Sequence, residues 1–482
     1  MDPETETDAT TADDRAAISF GTDGWRATLE EFTAPRVRMV AQAIATTLRE
    51  EGKTAPVVVG YDARETSRGF AEEVSRVLCA NGFDVLLSDR DRPTPLCAHA
   101  VVDRSLSAAV VITASHNPPS YNGIKFIPDD GAPALPPIMD AIADSLAVPD
   151  PLPEAEHGSV REVDLVDAHA EACLEVVRSV AGDQALDPKD ALEGLPIAYD
   201  AMHGSGRGTT DALLERVGAS VERLRCTRDP EFGGGSPEPA AENLEELVEA
   251  VTEGDAALGI ANDGDADRVA VVTPDRGLLD ENLFFAALYD FLLESNDGPA
   301  IRTVSTSFLI DRIAEAHGES VHEVPVGFKW VAEAMADYDA LVGGEESGGF
   351  TVRGHVREKD GVLMGLLAAV MHAAEPIDDR VDRLLETHGD VTQGKISVAC
   401  PDDEKAAVLA ALEDEIPDAV AGTPVATVNT ADGFKLTLED GSWVLVRPSG
   451  TEPVLRVYAE AERDERVREL LEAGEELLEP LV

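Results

Sequence analysis

A chain of 482 residues is too long to be built around one hydrophobic core and calls for roughly three to four domains. Hydrophobic residues make up 44% of it, which excludes a wholly disordered chain. Against 94 acidic residues stand 39 basic ones, only eight of them lysines, for a net charge of −55. A surface this acidic repels nucleic acid and anionic membranes, so neither is an expected partner.

In chain order, Met1 to Arg15 is an acidic, polar stretch expected to be a disordered tail, and it has no apolar h-region. Val37, Val40, Ala41, Ile44 and Leu48 follow helical spacing up to a stop at Gly52. The run Val57–Val59, a helical pattern through Phe70, Val74, Val77 and Leu78, and the run Val85–Leu87 follow. Ala108 to Ile112 reads as a buried strand ending at Thr113. This is a βαβ rhythm, and it predicts a largely parallel or mixed sheet covered by helices.

The rhythm restarts after a Pro-rich stretch at 149–156, with a helix near 164–181, a strand at 197–199, a helix at 244–252 and a strand at 256–261. It restarts again with helix 283–293, strand 301–304, helix 308–316 and helix 361–374. A last unit reads strand, helix, hairpin, strand, helix. The expected fold class is α/β, with three similar domains carrying mixed sheets and a smaller C-terminal α+β domain around a central cleft. The expected bounds are 1–15 for the tail and 16–160, 161–274, 275–388 and 389–482 for domains I to IV. No apolar run approaches the ~20 residues that span a bilayer. The five cysteines, Cys79, Cys97, Cys173, Cys226 and Cys400, form no C-x-x-C pair. That argues against a disulfide framework or a zinc site and for a reducing, cytoplasmic setting.

Four segments carry chemistry. Thr113-Ala114-Ser115-His116-Asn117-Pro118-Pro119 places a hydroxyl just past a buried strand, where α/β sheets put their ligands. The prolines keep that loop from becoming helical. Adjacent residues of an extended loop point apart, and G-x-S-x-G is absent, so a serine-hydrolase pairing of Ser115 with His116 is not expected. Asp263-Gly264-Asp265-Ala266-Asp267-Arg268 offers carboxylates at i, i+2 and i+4 around a glycine turn, an all-oxygen set suited to Mg²⁺. An EF-hand is excluded, because its sixth and twelfth positions hold Arg268 and Pro274. Arg447-Pro448-Ser449-Gly450-Thr451 combines a guanidinium, hydroxyls and open backbone N–H groups, which is a phosphate cradle. Gly343-Gly344-Glu345-Glu346-Ser347-Gly348-Gly349 can accept hydrogen bonds from sugar hydroxyls.

Taken together and in this order, the four segments resemble the α-D-phosphohexomutase superfamily. Phe20-Gly21-Thr22-Asp23-Gly24-Trp25-Arg26 and Asn122-Gly123-Ile124-Lys125-Phe126 match it too, so the resemblance spans about residues 16 to 460. It implies an intramolecular phosphotransferase of the isomerase class that interconverts hexose 1-phosphate and hexose 6-phosphate through phosphoserine and a hexose 1,6-bisphosphate. Ser115 would carry the phosphate, and Asp263, Asp265 and Asp267 would hold Mg²⁺ with an oxygen of that group. Glu345 and Ser347 would grip the sugar, and Arg447, Ser449, Gly450 and Thr451 the idle phosphate. Arg26, Lys125 and Arg268 would line the catalytic region, with Lys125 the candidate for proton transfer. The phosphomannomutase-like subgroup has a histidine where Gly349 stands, and Gly-His where this chain reads Gly327-Phe328-Lys329-Trp330. That form resembles glucose-type enzymes, with Lys329 facing substrate. The expected activity is therefore phosphoglucomutase; phosphomannomutase, dual-specificity, phosphoglucosamine mutase and phosphatase readings are the alternatives. Hexose phosphates are the expected partners, the oligomer a monomer or homodimer. The acidic composition resembles that of salt-accumulating, halophilic archaeal cytoplasm.

Overall fold

A computed structural model describes residues 13–21, 24–180, 192–450 and 452–482. Most of the expected tail, Thr22, Asp23 and Thr451 lie outside the described residues.

The first sheet contains β1 (Trp25–Thr28), β2 (Val57–Tyr61), β3 (Val85–Ser88), β4 (Ala108–Ile112), β5 (Tyr121–Pro128) and β6 (Val160–Val163), in the order β1-β5-β4-β2-β3-β6. Strands β2, β3, β4 and β6 run parallel, while β5 is antiparallel to β4 and β1. The hydrophobic runs are continuous because both faces are covered. Val57, Val59, Ala108, Val110 and Ile112 face the helices Ala34–Glu50 and Ser67–Ala80, whereas Val58, Ala109 and Val111 pack with helix Thr94–Asp103. That split is the two-residue alternation of a strand.

The second sheet holds β7 (Pro196–Asp200), β8 (Ser220–Leu224), β9 (Leu258–Asn262), β10 (Val269–Thr273) and β11 (Gly277–Leu278), in the order β11-β10-β9-β7-β8. The third has β12 (Ala300–Thr303), β13 (Val321–Val324), β14 (Val342–Gly344) and β15 (Phe350–Val352), in the order β13-β12-β14-β15. Both mix parallel and antiparallel pairs. The fourth, β16 (Thr392–Ala399), β17 (Ala419–Val420), β18 (Thr423–Asn429), β19 (Phe434–Leu438), β20 (Trp443–Pro448) and β21 (Val454–Ala461), is wholly antiparallel and carries helix Asp464–Leu478. Three mixed α/β units and a smaller antiparallel one thus make up the fold.

Strand β6 adds to β3 at the edge of the first sheet, and β11 closes a hairpin on β10 in the second. Edge additions of two to four residues carry too little periodicity to be read from sequence. Helix Gly361–Ala374, which follows the third sheet, is buried along most of its length and packs on Ile260, Val269 and Val271 of the second. The second and third units therefore share one core. Among the described residues no single helix is long and apolar enough to cross a membrane.

Candidate active site

Ser115 follows β4 after a two-residue turn, in which its N–H donates to Thr113 Oγ1 at 2.8 Å. Its φ of 53° is left-handed, a strained conformation for a residue with a side chain. The bend turns the side chain inward, so Ser115 is 1% exposed and its Oγ donates to Asp263 Oδ2 at 2.8 Å. It also corrects the expectation that Ser115 and His116 point apart, because His116 Nδ1 lies 3.3 Å from the same oxygen. The positive charge of Arg268, followed by burial and by Arg26, pushes the His116 imidazole down to about 2, so it is neutral at neutral pH.

Arg64 secures this loop and was not found by sequence reading. Its guanidinium donates to the carbonyls of Ser115, Asn117, Pro118 and Tyr121, at 2.9, 2.6, 2.6 and 3.1 Å. It pairs with Asp62 at 2.9 Å, and both side chains are buried. Replacing Arg64 by Ala would leave a buried carboxylate and four carbonyls without their donor. The expected result is a loss of roughly 3–5 kcal/mol of stability, read as a lower midpoint in a urea titration. Arg64→Lys, which lacks the fork, should recover only part of it.

The aspartate loop joins β9 to β10, and Asp263, Asp265 and Asp267 are fully buried. One carboxylate oxygen from each lies within 4.8 Å of the other two. Gly264 allows the approach, since a Cβ there would stand 2.5 Å from the Ser115 carbonyl oxygen. Lys125, on β5, is 2% exposed, and its Nζ sits 3.1 Å from Asp265 Oδ2 and 2.8 Å from Asp267 Oδ2. Thr94 Oγ1 donates to Asp265 Oδ2 at 2.7 Å, and Lys359 Nζ lies 3.0 Å from Asp267 Oδ2. Burial, with Asp267 and Asp265 beside it, pushes the Asp263 carboxyl well up. At Asp267 burial acts in the same direction, but Lys125, Lys359 and Arg268 outweigh it and hold the group well below the usual range. Asp265 Oδ1 and Asp267 Oδ1 are buried and accept no hydrogen bond. Orphaned carboxylate oxygens in an all-oxygen cluster fit a hard divalent cation, which would supply the missing partner.

Arg268 is half-buried, with its Nε 4.0 Å from Asp267 Oδ1, and its N–H donates to Asp263 Oδ1 at 3.2 Å. Arg26 Nη1 reaches Asn117 Oδ1 at 3.5 Å, which places it beside the serine loop.

Of the remaining expected residues, Glu345, Ser347 and Lys329 lie in the third unit, and Arg447, Ser449 and Gly450 in the fourth. Glu345 is buried in the β14–β15 loop and accepts from Gly327 N at 3.0 Å. Ser347 is half-buried in the same loop. Lys329, in helix Phe328–Asp337, lines a cavity of about 380 Å³ with Trp330, Arg447, Ser449 and Gly450. Asp432 ties its two walls together, accepting from Arg447 Nε at 2.9 Å and from Val326 N at 3.1 Å. Lys405 Nζ braces the 449–452 turn through the carbonyls of Ser449 and Glu452, at 2.7 and 2.6 Å. Sequence reading missed Thr94, Lys359, Lys405 and Asp432. One signal was available: of eight lysines in so acidic a chain, Lys125, Lys359, Lys405 and Lys435 are all buried.

A buried serine against three carboxylates, bridged by lysines and paired with a separate arginine-lined cavity, is the organisation of a phosphosugar mutase. The models for phosphoglucomutase/phosphomannomutase alpha/beta/alpha domains I, II and III match residues 17–150, 177–277 and 280–388, and that for the C-terminal domain matches 396–476. The chain belongs to this family, and it is an enzyme of the isomerase class. The phosphoglucomutase/phosphomannomutase of Thermococcus kodakarensis is 32% identical over 466 residues, covering 95% of this chain and 98% of the relative. A phosphopentomutase of the same organism is 32% identical over 467 residues, covering 94% and 96%. A probable phosphoglucosamine mutase of Methanothermobacter thermautotrophicus is 33% identical over 468 residues, covering 96% and 98%. A Thermus thermophilus crystal structure, provisionally named a phosphomannomutase, superposes with a TM-score of 0.83 at 30% identity over 96% of this chain and 99% of the other.

Proposed function

We propose that this enzyme interconverts hexose 1-phosphate and hexose 6-phosphate through a phosphorylated Ser115 and a hexose 1,6-bisphosphate, with glucose as the preferred sugar. The observation that carries the reading is Ser115 Oγ at 2.8 Å from Asp263, inside a buried carboxylate cluster that Lys125 bridges. The sugar hydroxyl attacks the phosphorus of phosphoserine; its bond to phosphorus forms as the bond to Oγ breaks. Lys125 or a neighbouring group takes the hydroxyl proton. Asp263, Asp265 and Asp267 would hold Mg²⁺, which supplies charge neutralisation on the transferring group. Arg26 and Arg268 offset further negative charge there. Glu345, Ser347 and Lys329 orient the sugar, and Arg447, Ser449, Gly450 and Thr451 hold its other phosphate. After the first transfer the bisphosphate must turn over, which suits a C-terminal domain hinged near 385–395.

Glucose preference draws support from position 349. A Cβ there would meet Lys359 Cδ at 2.4 Å, so the Lys359 stem fills the place a larger side chain would take. A net charge of −55 with so few lysines supports a cytoplasm of high ionic strength.

Initial rates on glucose, mannose and glucosamine 1-phosphates and on ribose 1-phosphate, measured side by side, test the reading. Glucose 1-phosphate should lead in kcat/KM, by about tenfold or more over glucosamine 1-phosphate. Phosphate release without isomerisation would make the enzyme a phosphatase, and a pentose preference would overturn the hexose assignment.

A further inference from the structure

A second group of metal-ligating side chains is buried where the first three units meet, and the hexose reaction uses none of them. His169 and Cys173 are four residues apart on helix Val166–Val180 and share one of its faces. His355 and Asp360 come from the segment between β15 and helix Gly361–Ala374. The Nε2 atoms of His169 and His355 stand 2.6 and 2.7 Å from one atom, Asp360 Oδ2. Cys173 Sγ is 3.7 Å from both ring nitrogens of His169. One ligand atom from each of the four lies within 4.8 Å of the rest, and all four side chains are at most 1% exposed. His99, in the first unit, packs against both imidazoles, with ring centroids 5.7 and 6.2 Å away.

Two imidazoles, one thiol and one carboxylate are a four-donor set of mixed nitrogen, sulfur and oxygen. Mg²⁺ prefers six oxygen ligands, so this set discriminates against the ion suited to the three aspartates. It matches the donors and the number that a tetrahedral zinc-class ion takes. Asp360 is also oriented from its far side, because its Oδ1 accepts from Leu363 N at 2.9 Å and caps the helix. A purely hydrogen-bonded knot explains the two imidazoles on one oxygen, and Cys173 also packs in the core shared by the second and third units.

We propose that His169, Cys173, His355 and Asp360 form a site for a zinc-class divalent cation that ties the second unit to the third. Both imidazoles would present Nε2 as a lone pair, with their hydrogens on Nδ1, and the thiol would release its proton to solvent. Thiolate and carboxylate then balance the dication, so the buried unit is neutral overall. Bonds of ~2.0 Å place tetrahedral ligands about 3.3 Å apart, so loading moves Asp360 Oδ2 back from the two imidazoles. The ion would also steady Lys359, which directly precedes Asp360 and reaches Asp267. The absence of a C-x-x-C pair hid the site, because its ligands are separated by up to 191 positions and only folding brings them together.

The full-length protein, incubated with Zn²⁺ and dialysed against Mg²⁺ buffer, should retain about one zinc ion per chain by plasma mass spectrometry. Cys173→Ser and His355→Ala should each lower that content by about tenfold or more, while Asp265→Asn should keep it. Asp265→Asn thereby separates this site from the aspartate loop. Should the variants fail to fold, the Co²⁺ form of the wild-type protein decides. It should show a thiolate-to-cobalt charge-transfer band in the near ultraviolet, with visible d–d bands of tetrahedral intensity. A wild-type protein without stoichiometric zinc and without that band overturns the proposal. Equal zinc in the wild type and in folded Cys173→Ser overturns it as well, and leaves a hydrogen-bonded His–Asp–His knot.

Discussion

Ser115→Ala should lose roughly four orders of magnitude or more in turnover, because it removes the atom that would carry the phosphoryl group between half-reactions in the proposed scheme. Neighbouring side chains cannot substitute for it. His116 lies 3.3 Å from the hydroxyl, but the charge of Arg268 and burial leave it a neutral ring with no phosphate-carrying role in this scheme. The effect on stability should be small. The hydroxyl makes one hydrogen bond to a carboxylate, so the loss is bounded at roughly 1.5–3 kcal/mol. The loop itself is held by Arg64 through the backbone carbonyls of Ser115, Asn117, Pro118 and Tyr121, and these are untouched. Intact-mass measurement should find one phosphoryl group on the native enzyme and none on the variant. An alanine variant that is folded and fully active would sink the mechanism.

Removal of the metal should be nearly as severe. Three buried carboxylates repel one another, and two of their oxygens accept no hydrogen bond among the described residues. Chelation by EDTA should stop turnover, and Mg²⁺ should restore it. Ca²⁺ should bind and restore little, since its longer bonds and looser geometry misplace the transferring group. Asp265→Asn keeps the shape of the side chain and its acceptance from Thr94, but removes one ligand charge. Turnover should fall by about a hundredfold at low Mg²⁺ and recover in part as Mg²⁺ is raised. Glu253→Gln, an exposed change just beyond helix Glu245–Thr252, should leave both untouched. Equal losses in the two variants would mean that the aspartate loop holds no catalytic metal.

Much of this was legible because it is local. A buried parallel strand must be apolar on both faces, so Ala108 to Ile112 announced itself, and the serine that follows a strand end stood where ligands collect. Three aspartates at alternate positions around a glycine, and an arginine beside hydroxyls in an acidic chain, are short-range patterns whose chemistry needs no partner from elsewhere. Two helices that open on proline were not read. Thr94–Asp103 and Pro136–Asp144 have Pro in their first turn, where it is tolerated, yet in sequence it reads as a break.

What the fold alone decided is which distant residues meet. Lys125 finds Asp267 across 142 positions, Thr94 finds Asp265 across 171 and His169 finds Asp360 across 191. No periodicity encodes such pairs, since they come from separate units that only folding brings together. The left-handed bend at Ser115 is of the same kind. An extended loop would send Ser115 and His116 to opposite sides, and it is Arg64, gathering four carbonyls from 51 to 57 positions away, that holds the turn and faces the hydroxyl toward the aspartates.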